Sequence, residues 1–346
     1  MEKNKITEIT ALLDKKIFDI KEYPIGLADG KMGHCIYYYY LCRLLDNNVY
    51  KQKAEHLVDE IFEKIKLIKN LDIKNGFAGI GLGIEYLIDN RYVTGDSNDI
   101  LTDIDNELFK KICNLDKIKE DLPSSYLQLI YYFTVRLKKQ NKNSENEHFF
   151  KEAVINAINF ISEKIYRNFS EEPVSFNLEN PSIQSLFVLS QCVEFYKEKT
   201  NRILKDISSY TLSKIPIIHA NRLNLLYAMD NINKKIKIKG WDEHIKLLVR
   251  EINVEKIIEN ELADDIYFSN GLSAIYMLLS GLGGYFSPNQ ICKHKRLIIN
   301  KIESSPLWDR LIEDDFYLKQ NSGLFSGYKG VSLLLHKHYN DENRLN

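Results

Sequence analysis

The chain has 346 residues, 44% apolar and 27% charged, the balance of a globular chain rather than a disordered one. Lys plus Arg (47) nearly cancel Asp plus Glu (48), and a net charge of -1 removes the electrostatic case for a nucleic-acid binder. With 7 Pro and 16 Gly, long helices can run through most of the sequence.

Residues 1–20 are amphipathic and carry both signs of charge without an uninterrupted apolar run, so no signal peptide is expected. The segment Asp29-Gly-Lys-Met-Gly-His-Cys-Ile follows, and then the run Tyr37 to Tyr40. On a helix four consecutive residues point all round it, so at most one or two tyrosines can face a lumen and the rest belong to the core. Ala54, Leu57, Val58, Ile61, Phe62 and Ile65 recur at helical spacing and mark an amphipathic helix. The segment Asn75-Gly-Phe-Ala-Gly-Ile-Gly-Leu opens the least polar stretch, which is broken by Glu85 and too short to span a bilayer.

A weaker copy begins at Leu122-Pro-Ser-Ser, with its lead position at Ser124. Lys138 to Glu147 reads as a solvated loop, and Val154, Ile158, Ile161 and Ile165 mark another amphipathic helix. Further weak copies lead at Glu179 and at Asn221, just after His219. The alternating Lys segment 233–239 reads as a solvated connection, with a short strand or docking edge as the alternative. Asn270-Gly-Leu-Ser-Ala-Ile-Tyr-Met and Ser326-Gly-Tyr-Lys-Gly-Val-Ser-Leu are two clear copies. Cys292-x-His294 falls in a connecting segment, and His336-x-His338 follows the last apolar helix with its side chains diverging.

Four clear copies and three weaker ones give lead positions 30, 76, 124, 179, 221, 271 and 327. Each is a Gly-x-x-Gly/Ala or a degenerate form, followed by an apolar helix and then a charged amphipathic one. Such pairs cannot bury their faces alone. Because the first and last copies are among the best preserved, closure into a ring is expected over an open array with atypical caps. The expected fold is therefore all-α: one α,α-toroid domain, residues 1–346, of about seven helix pairs, the apolar helices inside.

Gly26-Leu-Ala-Asp-Gly-Lys-Met-Gly, Asn75-Gly-Phe-Ala-Gly-Ile-Gly and Gly323-Leu-Phe-Ser-Gly-Tyr-Lys-Gly-Val-Ser resemble lanthionine synthetase C-like (LanC-like) proteins. The resemblance covers nearly the whole chain and is strongest at its ends. It implies a cytoplasmic protein handling a ribosomally made peptide, with precursor peptide or a dehydratase-type modifying enzyme as partner. Active members add Cys thiols to dehydroamino acids. A zinc ion held by a Trp-Cys-Tyr-Gly-like motif in the fifth unit and Cys-His-Gly in the sixth deprotonates the thiol. Here Ser269-Asn270-Gly271 stands in the sixth unit, His219 at the fifth-unit Cys position, and Leu178-Glu179-Asn180-Pro181 where the fourth unit carries a His. Ser and Asn are poor zinc ligands. The resemblance therefore implies a degenerate, zinc-free, non-cyclising accessory, and no cofactor is expected.

The five cysteines (Cys35, Cys42, Cys113, Cys192, Cys292) are scattered and odd in number, which suits free thiols in a reducing compartment. Candidate residues of a rim or peptide-binding surface are Asp29, His34, Glu179, His219, Asp265, Ser269 and Asn270. The alternatives are a metal-independent cyclase working by positioning, and a carbohydrate-active toroid using paired carboxylates such as Asp29, Glu179, Asp264 and Asp265. Acidic residues at helix starts also cap N–H groups and oppose the helix dipole, which is the expected role for these.

Overall fold

The computed structural model describes residues 3–17, 23–114, 124–170, 173–177 and 179–345, and the regular structure among them is helical. Two compact units result, one built from both chain ends (1–95 with 255–346) and one from the middle (96–254). Residues 18–20, Leu122, Pro123 and Leu178, which entered the sequence reading, lie outside the described residues.

The first unit opens with α1 (Lys3–Ile17), α2 (Lys31–Leu45), α3 (Asn48–Lys64) and α4 (Phe77–Asp89). Helices α2 and α4 follow glycine motifs and are buried over most of their circumference: Tyr37, Tyr38 and Tyr39 are buried, and Tyr40 is half-buried. Helix α3 buries a narrower face than its periodicity suggests, because Ala54 and Ile61 are closed off while Phe62 is 48% exposed.

The middle unit runs α5 (Ser97–Ile100), α6 (Thr102–Ile112), α7 (Ser124–Lys138), α8 (Glu145–Ser170), α9 (Pro181–Cys192), α10 (Lys197–Asp206), α11 (Ser208–Leu212), α12 (His219–Asn233) and α13 (Trp241–Glu251). Val154, Ile158, Ile161 and Ile165 of α8 are all fully buried, so its periodicity does mark a core face. Arg136 of α7, with no exposure, donates to both carboxylate oxygens of Asp105 in α6 (2.8 Å to Oδ2). Its remaining N–H groups reach Ser97 and Asn98, so the buried charge is well hydrogen-bonded.

Of the weak copies, the one led by Ser124 opens α7 at that residue, and the other two start elsewhere than their lead positions suggest. Helix α9 is capped by Asn180, whose side chain accepts from the Ile183 N–H with Pro181 at the first helical position, so the start lies one residue past Glu179. Helix α12 begins at His219 with Ile218 before it, earlier than Asn221. Segment 234–240 forms no strand: Ile236 and Ile238 turn inward while Lys235 donates to the Ser190 carbonyl.

The chain then returns to the first unit through α14 (Val254–Lys256), a π-helical turn (Ile257–Glu261), α15 (Leu272–Gly281), α16 (Pro288–Glu303), α17 (Leu307–Glu313), α18 (Asp315–Gln320) and α19 (Tyr328–Leu345). Cys292 and His294 lie inside α16, not in a connection, because a Ser287–Gln290 capping box with Pro288 at the first helical position starts the helix early. His336 and His338 lie within α19, both buried. No helix among the described residues is long and apolar enough to cross a membrane.

Candidate functional site

The four clear glycine motifs share one geometry. In each, the N–H of the first helical residue donates to the carbonyl seven residues earlier: Lys31 to Pro24 (2.8 Å), Phe77 to Asn70 (3.1 Å), Leu272 to Asp265 (2.8 Å) and Tyr328 to Asn321 (2.9 Å). The preceding loop thus folds over the helix start and satisfies a donor that the helix cannot. The second glycine of the motif is where the loop presses hardest. A Cβ on Gly79 would fall 1.9 Å from the Ile73 carbonyl, and one on Gly330 1.9 Å from that of Leu324.

These loops are joined to one another by backbone bonds at equivalent positions. The Lys74 carbonyl accepts from Ala28 N–H (3.2 Å), the Ala28 carbonyl from Leu324 and Phe325 (2.8 and 3.0 Å), and the Phe325 carbonyl from Phe268 and Ser269 (both 3.0 Å). The belt orders the repeats second, first, last, sixth, so the first and last copies are direct neighbours. In the middle unit, side chains make the corresponding ties: Asn221 accepts from Phe176 N–H and Asn224 donates to the Ser175 carbonyl.

The candidate residues occupy different environments in the fold. Asp29 is half-buried, and its Oδ1 accepts from Ser326 N–H (2.8 Å), clasping the first loop to the last. His34 sits in the core, 3% exposed, with its ring edge-on to Tyr23 at 4.8 Å, rather than at the solvent-open rim. Burial, with the Lys329 and Lys31 charges, holds its imidazole well below the ordinary range and therefore neutral. Glu179 is exposed. His219 is half-buried, with Nδ1 3.1 Å from the Glu251 carbonyl and 3.2 Å from Arg222 Nη1. Asp265 is half-buried; its Oδ1 accepts from Tyr267 N–H (2.9 Å), and burial pushes its carboxyl up.

Ser269 and Asn270, the pair for which the family resemblance implies a Cys-His position, hydrogen-bond each other through their side chains. A hydroxyl and an amide committed to one another do not fit zinc, and among the described residues no group of three His, Cys, Asp or Glu converges on one point. Asp29, Asp265, Ser269 and Asn270 all lie in the first unit at the belt, whereas Glu179 and His219 belong to the middle unit.

A buried polar cluster escaped the sequence reading. Asp14 of α1 is enclosed by Tyr328 (hydroxyl to Oδ1, 2.6 Å), Tyr37 (to Oδ2, 3.3 Å) and Lys329, whose Nζ lies 4.0 Å away. Burial pushes the Asp14 carboxyl up against the pull of Lys329, and pushes the fully buried Lys329 ammonium down to about 8. A lysine in the middle of an apolar helix start was the available signal.

No family model matches the chain, and none of the curated proteins matches it either. Among solved structures it is similar to one titled "Nisin cyclase", with a TM-score of 0.65 and 14% identity over 98% of this chain and 95% of that one. At that identity the likeness speaks for architecture, and it agrees with seven helix starts at repeat spacing and a first loop bonded to the last. The chain has the α,α-toroid fold of the LanC-like proteins.

Proposed function

We propose that this protein is a LanC-like component of lanthipeptide-type peptide maturation that binds a precursor peptide, or the enzyme modifying it, at the glycine-motif loops without zinc-dependent cyclisation. The observation that carries the reading is a nisin-cyclase fold along nearly the full chain, combined with a Ser269–Asn270 pair in place of thiolate and imidazole. A thiol at neutral pH is mostly protonated, and without a metal to deprotonate it the addition to a dehydroamino acid loses its activated nucleophile.

The test takes untagged protein through metal analysis and peptide-binding assays together. The expected result is strongly substoichiometric zinc by mass spectrometry, with measurable affinity for a dehydrated Cys-containing precursor and unchanged free-thiol counts after incubation. Stoichiometric zinc that disappears in His219→Ala would overturn the zinc-free half. Falling thiol counts would replace it with metal-independent cyclisation by positioning. Absence of affinity for any precursor or modifying enzyme would remove the binding half.

A further inference from the structure

In the first unit, a cavity of about 290 Å³ opens between the loop that leads into α15 and the helices α17 and α18. That is just under the roughly 300 Å³ at which small-molecule pockets begin, the size for one long side chain rather than a whole ligand. Its lining combines apolar Leu262 and Leu307, the phenol pair Tyr267 and Tyr317 with hydroxyls 3.2 Å apart, and the carboxylates of Glu261, Asp264 and Asp265. The π-helical turn Ile257–Glu261 brings Glu261 to this lining; such turns interrupt regular helix at a cost and recur at functional positions.

Three features of the lining select a ligand. First, Asp264 and Asp265 enter none of the ion pairs among the described residues, and Asp265 is half-buried, so its charge is partly desolvated without a counter-ion. Second, Tyr267 is 7% exposed, and two hydroxyls that share one hydrogen bond leave one proton to donate, which suits an amide carbonyl beside the bound side chain. Third, the Tyr317 ring already takes a guanidinium, that of Arg310, at 4.0 Å. Arg310 is not among the cavity's lining residues, which include no Lys, Arg or His, so Asp264 and Asp265 give the lining an acidic character. An aliphatic stem suits the Leu262 and Leu307 side chains while its cationic head suits the carboxylates of the same lining.

We propose that this cavity receives one cationic side chain, Lys or Arg, of a peptide segment, with its head group at Asp264 and Asp265 and its stem on Leu262 and Leu307. The proposal rests on the peptide-binding reading above and deepens it by giving the peptide's charge class.

The experiment titrates purified protein with dansyl-labelled Gly-Arg-Gly-Lys-Gly amide and, separately, with the Gly-Glu-Gly-Asp-Gly counterpart, reading fluorescence. The basic peptide is expected to bind at least about tenfold more tightly, a difference that shrinks in high salt. Asp264→Lys, an exposed position, is expected to weaken the basic peptide about tenfold. The same charge change at the exposed Glu243→Lys, on α13 of the other unit, should leave it unchanged. Equal affinity for the two peptides, equal weakening by both substitutions, or an Asp264→Lys protein with unaltered melting and full affinity would each overturn the assignment. Binding of the short basic peptide without binding of any precursor leaves the cavity assignment standing and removes the maturation reading. Precursor binding that ignores Asp264→Lys does the reverse.

Discussion

Asp14 and Lys329 face each other at 4.0 Å with no access to solvent, a geometry in which each charge is tolerable because the other is there. Removing one partner strands the other, so Lys329→Met is expected to lower stability by about 3 kcal/mol at pH 7, and adding Asp14→Asn is expected to recover most of it. The pH dependence has a definite sign. Lys329 titrates near 8 in the folded chain and near its ordinary 10.5 in the unfolded one. Between those values the unfolded chain holds a proton that the folded chain has released, so this group makes stability rise with pH. Above pH 10 the deeply buried Tyr37, Tyr38 and Tyr328, whose hydroxyls are pushed up by burial, act in the opposite sense as the unfolded tyrosines ionise. Lys53 and Asp14 also act on Lys329 electrostatically, Lys53 pushing it down and Asp14 up, and His34 on α2 feels its charge. Urea midpoints should therefore rise from pH 8.0 to 9.5 by the equivalent of on the order of 1 kcal/mol. A Lys329→Met protein showing the same rise would assign the effect elsewhere.

At the scale of the element, the unit of construction is the loop that folds over a helix start. Where the motif keeps both glycines, the loop carbonyl six residues back lies where a side chain would be, and Gly79→Ala is expected to cost about 2 kcal/mol through forced displacement of the Ile73 carbonyl. Gly284→Ala, with nothing within 4 Å, supplies the control and should change little; equal melting temperatures for the two variants would refute the contact as the reason for the glycine. This geometry explains what was legible in the sequence. Gly-x-x-Gly spacing and apolar periodicity report a steric demand and a buried face, and both survive as residue types. Helix starts at Asn180 and Ile218 were read one and three residues away from their true places because capping by Asn-Pro, or by no side chain at all, leaves no glycine to anchor the register. The acidic cavity and the Asp14–Lys329 pair were illegible for another reason. Asp14 meets Lys329, and Tyr267 meets Tyr317, through chain separations that no local pattern encodes.

For the whole molecule, the consequential contact is the one between residues nearest the two ends of the repeat series. Ala28 bonds Leu324 and Phe325, Asp29 bonds Ser326, Asp14 bonds Tyr328, and Lys16 bonds the Ile312 carbonyl and Asp315. An open array passes a disturbance only to its sequence neighbours, whereas a closed one passes it across the seam as well. Gly323→Ala tests the difference, because its Cβ would fall 2.0 Å from Asp29 Oδ1. The variant should raise amide exchange not only around α19 and the loop 321–327 but also at residues 28–34, the start of α2, almost 300 positions away in sequence. Exchange at 28–34 that matches the parent while 321–327 opens would mean that the first repeat stands without the last. The seam would then be a contact rather than a closure. If residues 28–34 open together with 321–327, the two termini form one cooperative unit. A chain whose first and last repeats depend on each other in this way cannot complete that unit until its C-terminal helix has been made, a slow long-range step that local helix propensity cannot replace.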